Sequence, residues 1–151
     1  MTLQNLLSLP PEQRQPQQLL DFIPYAQMMG VRAQVAEDSS GPILFRLDAN
    51  ELHMGNPTLP AMHGGALSGF MELAAAVHLL STMTIARYPK LIDFAIDYLS
   101  AARLDTVFCT CETLREGKNL TAVQVRAWQR DPAKPVAVGK AQFLCSDFSE
   151  S

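Results

Sequence analysis

Pro60-Ala-Met-His-Gly-Gly-Ala-Leu-Ser-Gly-Phe-Met-Glu-Leu-Ala-Ala-Ala76 leaves a loop at His63-Gly64-Gly65 and enters a stretch without interior proline that Pro89 brings to a stop. Most residues from 64 to 87 are Ala, Leu, Met, Ser or Gly, and only Glu72, His78 and Arg87 can carry charge. The pattern predicts one long helix over residues 64–87, apolar on every side. Such a helix has to be enclosed by the rest of the chain.

Downstream, residues 91–99, 106–114, 120–130 and 136–144 read as four strands, with turns at Arg115-Glu-Gly-Lys-Asn119 and Asp131-Pro-Ala-Lys-Pro135. In the first strand Ile92, Phe94, Ile96 and Tyr98 alternate with Leu91, Asp93, Ala95 and Asp97, which predicts one core face and one wetter face. Upstream, Val31, Ala33 and Val35, then Ile43 to Leu47, form a hairpin pattern around residues 37–42. Residues 48–62, with Gly55, Pro57 and Pro60, read as loop. Prolines at 10, 11, 16 and 24 allow only short helices near the start, one over 3–9 and one over 16–22.

These elements predict an α+β fold, an antiparallel sheet of five to six strands curled around one central helix. The chain divides into an N-terminal arm (residues 1–28), a body (29–146) and a short tail (147–151).

A chain of 151 residues with 48% apolar and 18% charged residues suits a single core. Its net charge of -3 and scattered Lys and Arg argue against a nucleic-acid partner. The first residues lack the basic start and apolar run of a signal peptide, and no window suggests a membrane span of roughly 18 apolar residues. A cytoplasmic protein is expected. Cys109 and Cys111 flank Thr110 on one strand and read as core thiols, not as half of a metal site.

The helix mouth is where chemistry is expected. First-turn N–H groups lack intrahelical partners and sit at the positive end of the helix dipole. Gly64 and Gly65 would let a carbonyl oxygen approach one of them. Glu72 adds a carboxylate in apolar surroundings, where burial raises its pKa towards the range useful to a base or nucleophile. Yet eight residues separate Gly64 from Glu72, or about 12 Å along a helix. One carbonyl cannot be held by the first and attacked through the second when reacting atoms must come within about 3–3.5 Å. Two copies packed antiparallel about a twofold axis would unite Gly64 of one with Glu72 of the other.

The run Asn56…His63-Gly64-Gly65…Glu72, then Asp97-Tyr-Leu-Ser-Ala-Ala-Arg103 and Arg115-Glu-Gly-Lys118, resembles the hotdog-fold acyl-CoA thioesterases of the phenylacetate-pathway type. The resemblance spans residues 22–143. It implies a hotdog fold, an acyl-CoA substrate, and a homodimer or dimer of dimers with sites at the subunit interface. It implies no metal and no cofactor beyond the coenzyme A of the substrate. By it, Gly64 polarises the thioester carbonyl, His63 holds the loop or assists there, and Glu72 of the partner subunit is nucleophile or base. Asn56 stands near the place of an Asn or Gln that the family often carries before the His, one residue further away. Gly65, Ser68, Leu91 and Asp93 would face the substrate. Leu91 occupies a position where the family often has a hydroxyl, for which Ser81, Thr82 or Asp93 are the substitutes.

Two other readings remain at this stage. His53 with Glu72 resembles the His…Glu pair of hotdog hydroxyacyl dehydratases, although their spacing of nineteen residues is long. A hotdog domain that binds acyl-CoA without turnover is the other. His78, six residues past Glu72 and so on another helix face, reads as a structural histidine, and Trp128 as core or interface. Arg87, Lys90, Arg103, Arg115, Lys118 and Lys140 are the cations available for coenzyme A phosphates.

Overall fold

In the computed structural model the apolar stretch is helix α4, Gly64–Thr82, and Leu67, Phe70, Met71, Ala74, Ala75, Val77 and Leu79 are among its buried residues. Residues 1–38 and 41–148 are described. Residues 39 and 40 of the expected first turn and 149–151 of the expected tail lie outside them. By length and composition alone α4 would reach across a membrane, contrary to the expectation that no segment would. It is the core helix of the sheet that packs along it.

That sheet has six antiparallel strands in the order β1-β2-β6-β7-β8-β5. β1 is Val31–Gln34, β2 Leu44–Leu47, β5 Tyr88–Tyr98, β6 Val107–Glu116, β7 Leu120–Trp128 and β8 Ala137–Ser146. β5 to β8 all contact α4. Alternate residues of β7 and β8, such as Val123, Val125, Ala141 and Phe143, point inward and are fully buried. The three thiols, Cys109, Cys111 and Cys145, are free and lie in this core. The architecture is the hotdog fold, with a helical arm at its start.

Four details depart from the sequence reading. α4 stops at Thr82, not Arg87, because Arg14 of the arm is buried against its end with only 4% of its surface exposed. Its guanidinium donates to the carbonyls of Leu80 and Thr84, each at 3.1 Å, and to that of Met83. These orphan acceptors are satisfied without another helical turn. Secondly, a helix α3 (Pro24–Met29) follows the two expected short helices, α1 (Leu3–Ser8) and α2 (Pro16–Asp21). It starts on a proline and ends on Gly30 in the left-handed conformation, φ 83°.

Thirdly, the expected loop of residues 48–62 contains a 3-10 turn, Glu51–His53, and a small ribbon of β3 (Met54–Asn56) with β4 (Ala61–Met62). Lastly, β5 does not alternate strictly. Its pairing with β8 slips between Leu91 and Asp93, so Leu91 and Phe94 pack inward while Ile92 is 52% exposed. A bulge of this kind swaps the faces on its two sides.

Candidate active site at the mouth of the central helix

His63 is the N-cap of α4, and its ring Nδ1 accepts the Gly65 N–H at 2.8 Å. The Ala66 and Leu67 N–H groups both donate to the His63 carbonyl, at 3.0 and 3.2 Å. Of the four orphan donors of the first turn, the Gly64 N–H alone has no acceptor among the described residues. It is a fixed donor at the positive helix end, half-exposed and ready for an incoming oxygen.

Each glycine here has a steric reason. A Cβ on Gly65 would lie 2.9 Å from His63 Nδ1, which would break the ring's cap. A Cβ on Gly64 would lie 3.2 Å from Cζ and Oη of Tyr98, at the end of β5. Tyr98 in turn donates to the Gly64 carbonyl at 2.8 Å. With Nδ1 accepting the Gly65 N–H, Nε2 is the ring nitrogen left to carry a proton. The loop is pinned from behind by the His63 N–H, which donates to the His53 carbonyl at 2.7 Å.

Glu72 sits two turns along, half-buried. Burial pushes its carboxyl pKa up, and a hydrogen bond from the Ser68 hydroxyl, one turn earlier, partly counters this. Ser68 therefore favours the ionised carboxylate. Within one chain the structure joins His63, Gly64, Gly65 and Tyr98 at the mouth and Ser68 with Glu72 further in. The two groups stay about 12 Å apart along the helix axis.

The other sequence candidates are placed as follows. The Asn56 side-chain oxygen accepts from Thr58 N at 3.0 Å and Thr58 Oγ1 at 2.7 Å, so it closes the β3–β4 turn. Leu91 packs against the core, whereas Asp93, past the bulge, is exposed opposite Gln142. Ser81 and Thr82 hydroxyls donate to the carbonyls of Val77 and His78 on their own helix. His78 Nε2 lies 3.0 Å from Thr113 Oγ1, and burial lowers its pKa to about 4, which keeps it neutral. Trp128 stacks on Phe108 with ring centroids 6.2 Å apart. His53 is 7% exposed and its Nδ1 has no partner among the described residues.

Sequence reasoning missed Tyr98 and Tyr25 as site neighbours. Tyr98 was legible as one of four alternating apolar residues and as part of the Asp97-Tyr-Leu-Ser run, with no place at the helix mouth attached to it. Tyr25 lies on the unanticipated α3 and, with Met28, Met29, Met54, His53 and Ala66, lines a hollow of about 360 Å³ beside His63.

The model of the thioesterase superfamily matches residues 59–136, just over half of the chain. A crystal structure of a protein from Chromobacterium violaceum is 35% identical in sequence, covers 97% of this chain and 99% of its own, and superposes with a TM-score of 0.73. A phenylacetic acid degradation-related protein from Ralstonia eutropha is 18% identical over 85% of this chain and 98% of that one, TM-score 0.71. A hypothetical thioesterase protein from Streptococcus pneumoniae, crystallised with coenzyme A, is 14% identical over 78% of this chain and 89% of that one, TM-score 0.65. The last two are likenesses of fold. Among curated proteins none matches. Since the family match runs from just before the helix mouth through Glu72 to the residue before β8, and a 35%-identical relative aligns along nearly its whole length, the chain belongs to the thioesterase superfamily.

Proposed function

We propose that the protein is an acyl-CoA thioesterase that works as a homodimer, with Gly64 of one subunit and Glu72 of the other closing on one thioester. The observation that carries this reading is the Gly64 N–H, the one first-turn donor left over at the mouth of a helix that also holds a half-buried carboxylate. The amide polarises the thioester carbonyl and receives the negative charge as the oxygen becomes tetrahedral. Glu72 takes a proton from water as the water oxygen bonds to the carbonyl carbon. The C–S bond then breaks, the proton passes to the departing thiolate, and a carboxylic acid and free coenzyme A result. Ser68, one turn earlier on the same helix, favours the ionised form of Glu72.

Support for the dimer comes from β5. It is an edge strand paired only with β8, and it exposes Tyr88, Ile92 and Tyr98. A second copy added antiparallel along this edge would set the two α4 helices side by side, running in opposite directions. The hollow lined by Tyr25, Met28, Met29 and Met54 is of a size for a small to medium acyl group.

The test is release of free thiol from a panel of acyl-CoAs. Glu72→Ala should lower kcat by about 10²- to 10⁴-fold with the fold intact. Thiol release by the unaltered protein no faster than by Glu72→Ala would overturn the reading.

A further inference from the structure

We propose that Tyr25, carried by the N-terminal arm, sets the upper length of the acyl group by closing the hollow beside the helix mouth, and that the absence of a side chain at Gly69 is what lets it stand there. The inference rests on the thioesterase reading and concerns the acyl end of the same substrate.

The hollow of about 360 Å³ is lined at the mouth of α4 by His63, Gly65 and Ala66 and, on the arm, by Tyr25, Met28 and Met29. Gly69, one turn past Gly65, is buried and lies outside the lining. A Cβ built on Gly69 would lie 2.8 Å from the Tyr25 Oη, 3.5 Å from its Cε1 and 3.6 Å from the Met29 Sδ. Tyr25 and Met29 are four residues apart on α3 and so share one of its faces, and together they cover Gly69. The tip of the tyrosine occupies the notch that the glycine leaves, and a methyl group there could not share the space with the hydroxyl.

Tyr25 is also the stiff part of the wall. Met28, Met29 and Met54 carry thioethers that shift readily around a ligand. Tyr25 presents a flat ring with only two side-chain torsions, and its far end is seated against α4. The backbone beneath it is held. Pro24 opens α3 and the left-handed Gly30 closes it, Ala26 and Met29 are buried, and the Gln27 side chain donates to the Asp21 carboxylate at 3.0 Å. Five residues, about 7.5 Å along the helix axis, separate Gly64 from Gly69. At about 1.2 Å of extended chain per bond, a straight acyl group whose carbonyl is held at Gly64 meets the Tyr25 ring after on the order of six carbons.

The test is the chain-length profile of kcat/KM over straight-chain acyl-CoAs from butanoyl to tetradecanoyl. Tyr25 is 45% exposed, so its truncation leaves the core intact. Tyr25→Ala should raise kcat/KM for dodecanoyl-CoA relative to hexanoyl-CoA by about tenfold or more. Gly69→Ala should act in the opposite direction, because the added methyl group drives the Tyr25 ring into the hollow. The double variant should behave as Tyr25→Ala, since with the ring gone the methyl group meets only the Met29 thioether, at an ordinary contact distance. Calorimetric titration of the same acyl-CoAs into these proteins, each also carrying Glu72→Ala, reads the limit without turnover. A length profile that Tyr25→Ala does not change would overturn the assignment, as would a Gly69→Ala effect that persists in full once Tyr25 is gone. If the protein hydrolyses no thioester and Tyr25→Ala still extends binding to longer chains, the hydrolase reading falls and this one stands.

Discussion

The Tyr98 hydroxyl, at the end of the edge strand β5, donates a 2.8 Å hydrogen bond to the carbonyl of Gly64, the first residue of the central helix. The strand along which a second copy would dock thus also sets the position of the helix mouth. Tyr98 occupies the space beside Gly64 that a side chain would take, and it leaves the Gly64 N–H free.

That geometry separates two effects of changing Gly64. Gly64→Ala keeps the N–H but puts a Cβ 3.2 Å from the Tyr98 ring, which must give by a few tenths of an ångström. Gly64→Pro adds a similar crowding and removes the N–H. Proline suits the first helical position, and His63 already has the extended conformation, φ -61° and ψ 132°, that a residue before proline needs. We expect kcat of Gly64→Pro to fall about 10²- to 10³-fold below that of Gly64→Ala. Equal activity of the two variants, each shown to be folded by its melting curve, would remove the amide from the mechanism.

Glu72 predicts a pH signature. A base must be ionised, and burial raises this carboxyl, so the acid limb of kcat/KM should lie above the ordinary carboxylate range. The Ser68 hydroxyl favours the ionised form, so Ser68→Ala should move that limb further up and leave the activity plateau less affected. The same shift bears on stability. A carboxyl raised in the folded state binds its proton longer there than in the unfolded chain. Its stabilising effect is complete below the unfolded pKa and is lost as pH rises through the folded one. Glu72→Gln should therefore raise Tm at pH 7 and leave it nearly unchanged near pH 4. An acid limb that Ser68→Ala does not move would argue against Glu72 as the titrating base.

Arg14 should matter to stability and not to chemistry. It is buried, and it donates to carbonyls at the end of α4 as well as to Leu9 at 2.8 Å. Arg14→Ala leaves these acceptors unpaired and removes the arm's polar tie to the helix end, at a cost of about 3 kcal/mol. For a domain of this size that is roughly 6–12 °C in Tm. Thermal melting checks the loss, and kcat per folded molecule at low temperature should stay within about twofold. A shift of less than about 2 °C would show that the arm is held by its apolar contacts alone.

Much of the fold was legible because one feature dominates it. A helix apolar on all sides demands a wrapper, and period-two strands on both sides of it in sequence supply one. The helix end was not legible, since the residue that terminates it, Arg14, is fifty residues before the helix begins. The phase of β5 was misread for a related reason. Ile92, Phe94, Ile96 and Tyr98 keep a period of two in sequence, and only the register against β8 shows the bulge that turns Ile92 outward. α3 was missed although its signals are local: proline at its first position and glycine just after its end. At the site, the types of residue and the 12 Å problem were readable from spacing. Which amide stays free was not, because that depends on the His63 ring capping Gly65.

The separation between Gly64 and Glu72 yields the most direct test of a shared site. Glu72→Ala and Gly64→Pro should each be nearly inactive alone. If the two groups act across a twofold interface, a mixed dimer contains one intact site, with Gly64 from the Glu72→Ala subunit and Glu72 from the Gly64→Pro subunit. Co-expression or refolding of an equal mixture makes about half the dimers mixed, so activity should return to about a quarter of the unaltered level. If one subunit supplied both groups, every site in the mixture would carry a defect and activity would stay at the level of the single variants. Sedimentation or light scattering on the same samples would show whether dimers formed, so an inactive mixture of dimers would exclude the shared site.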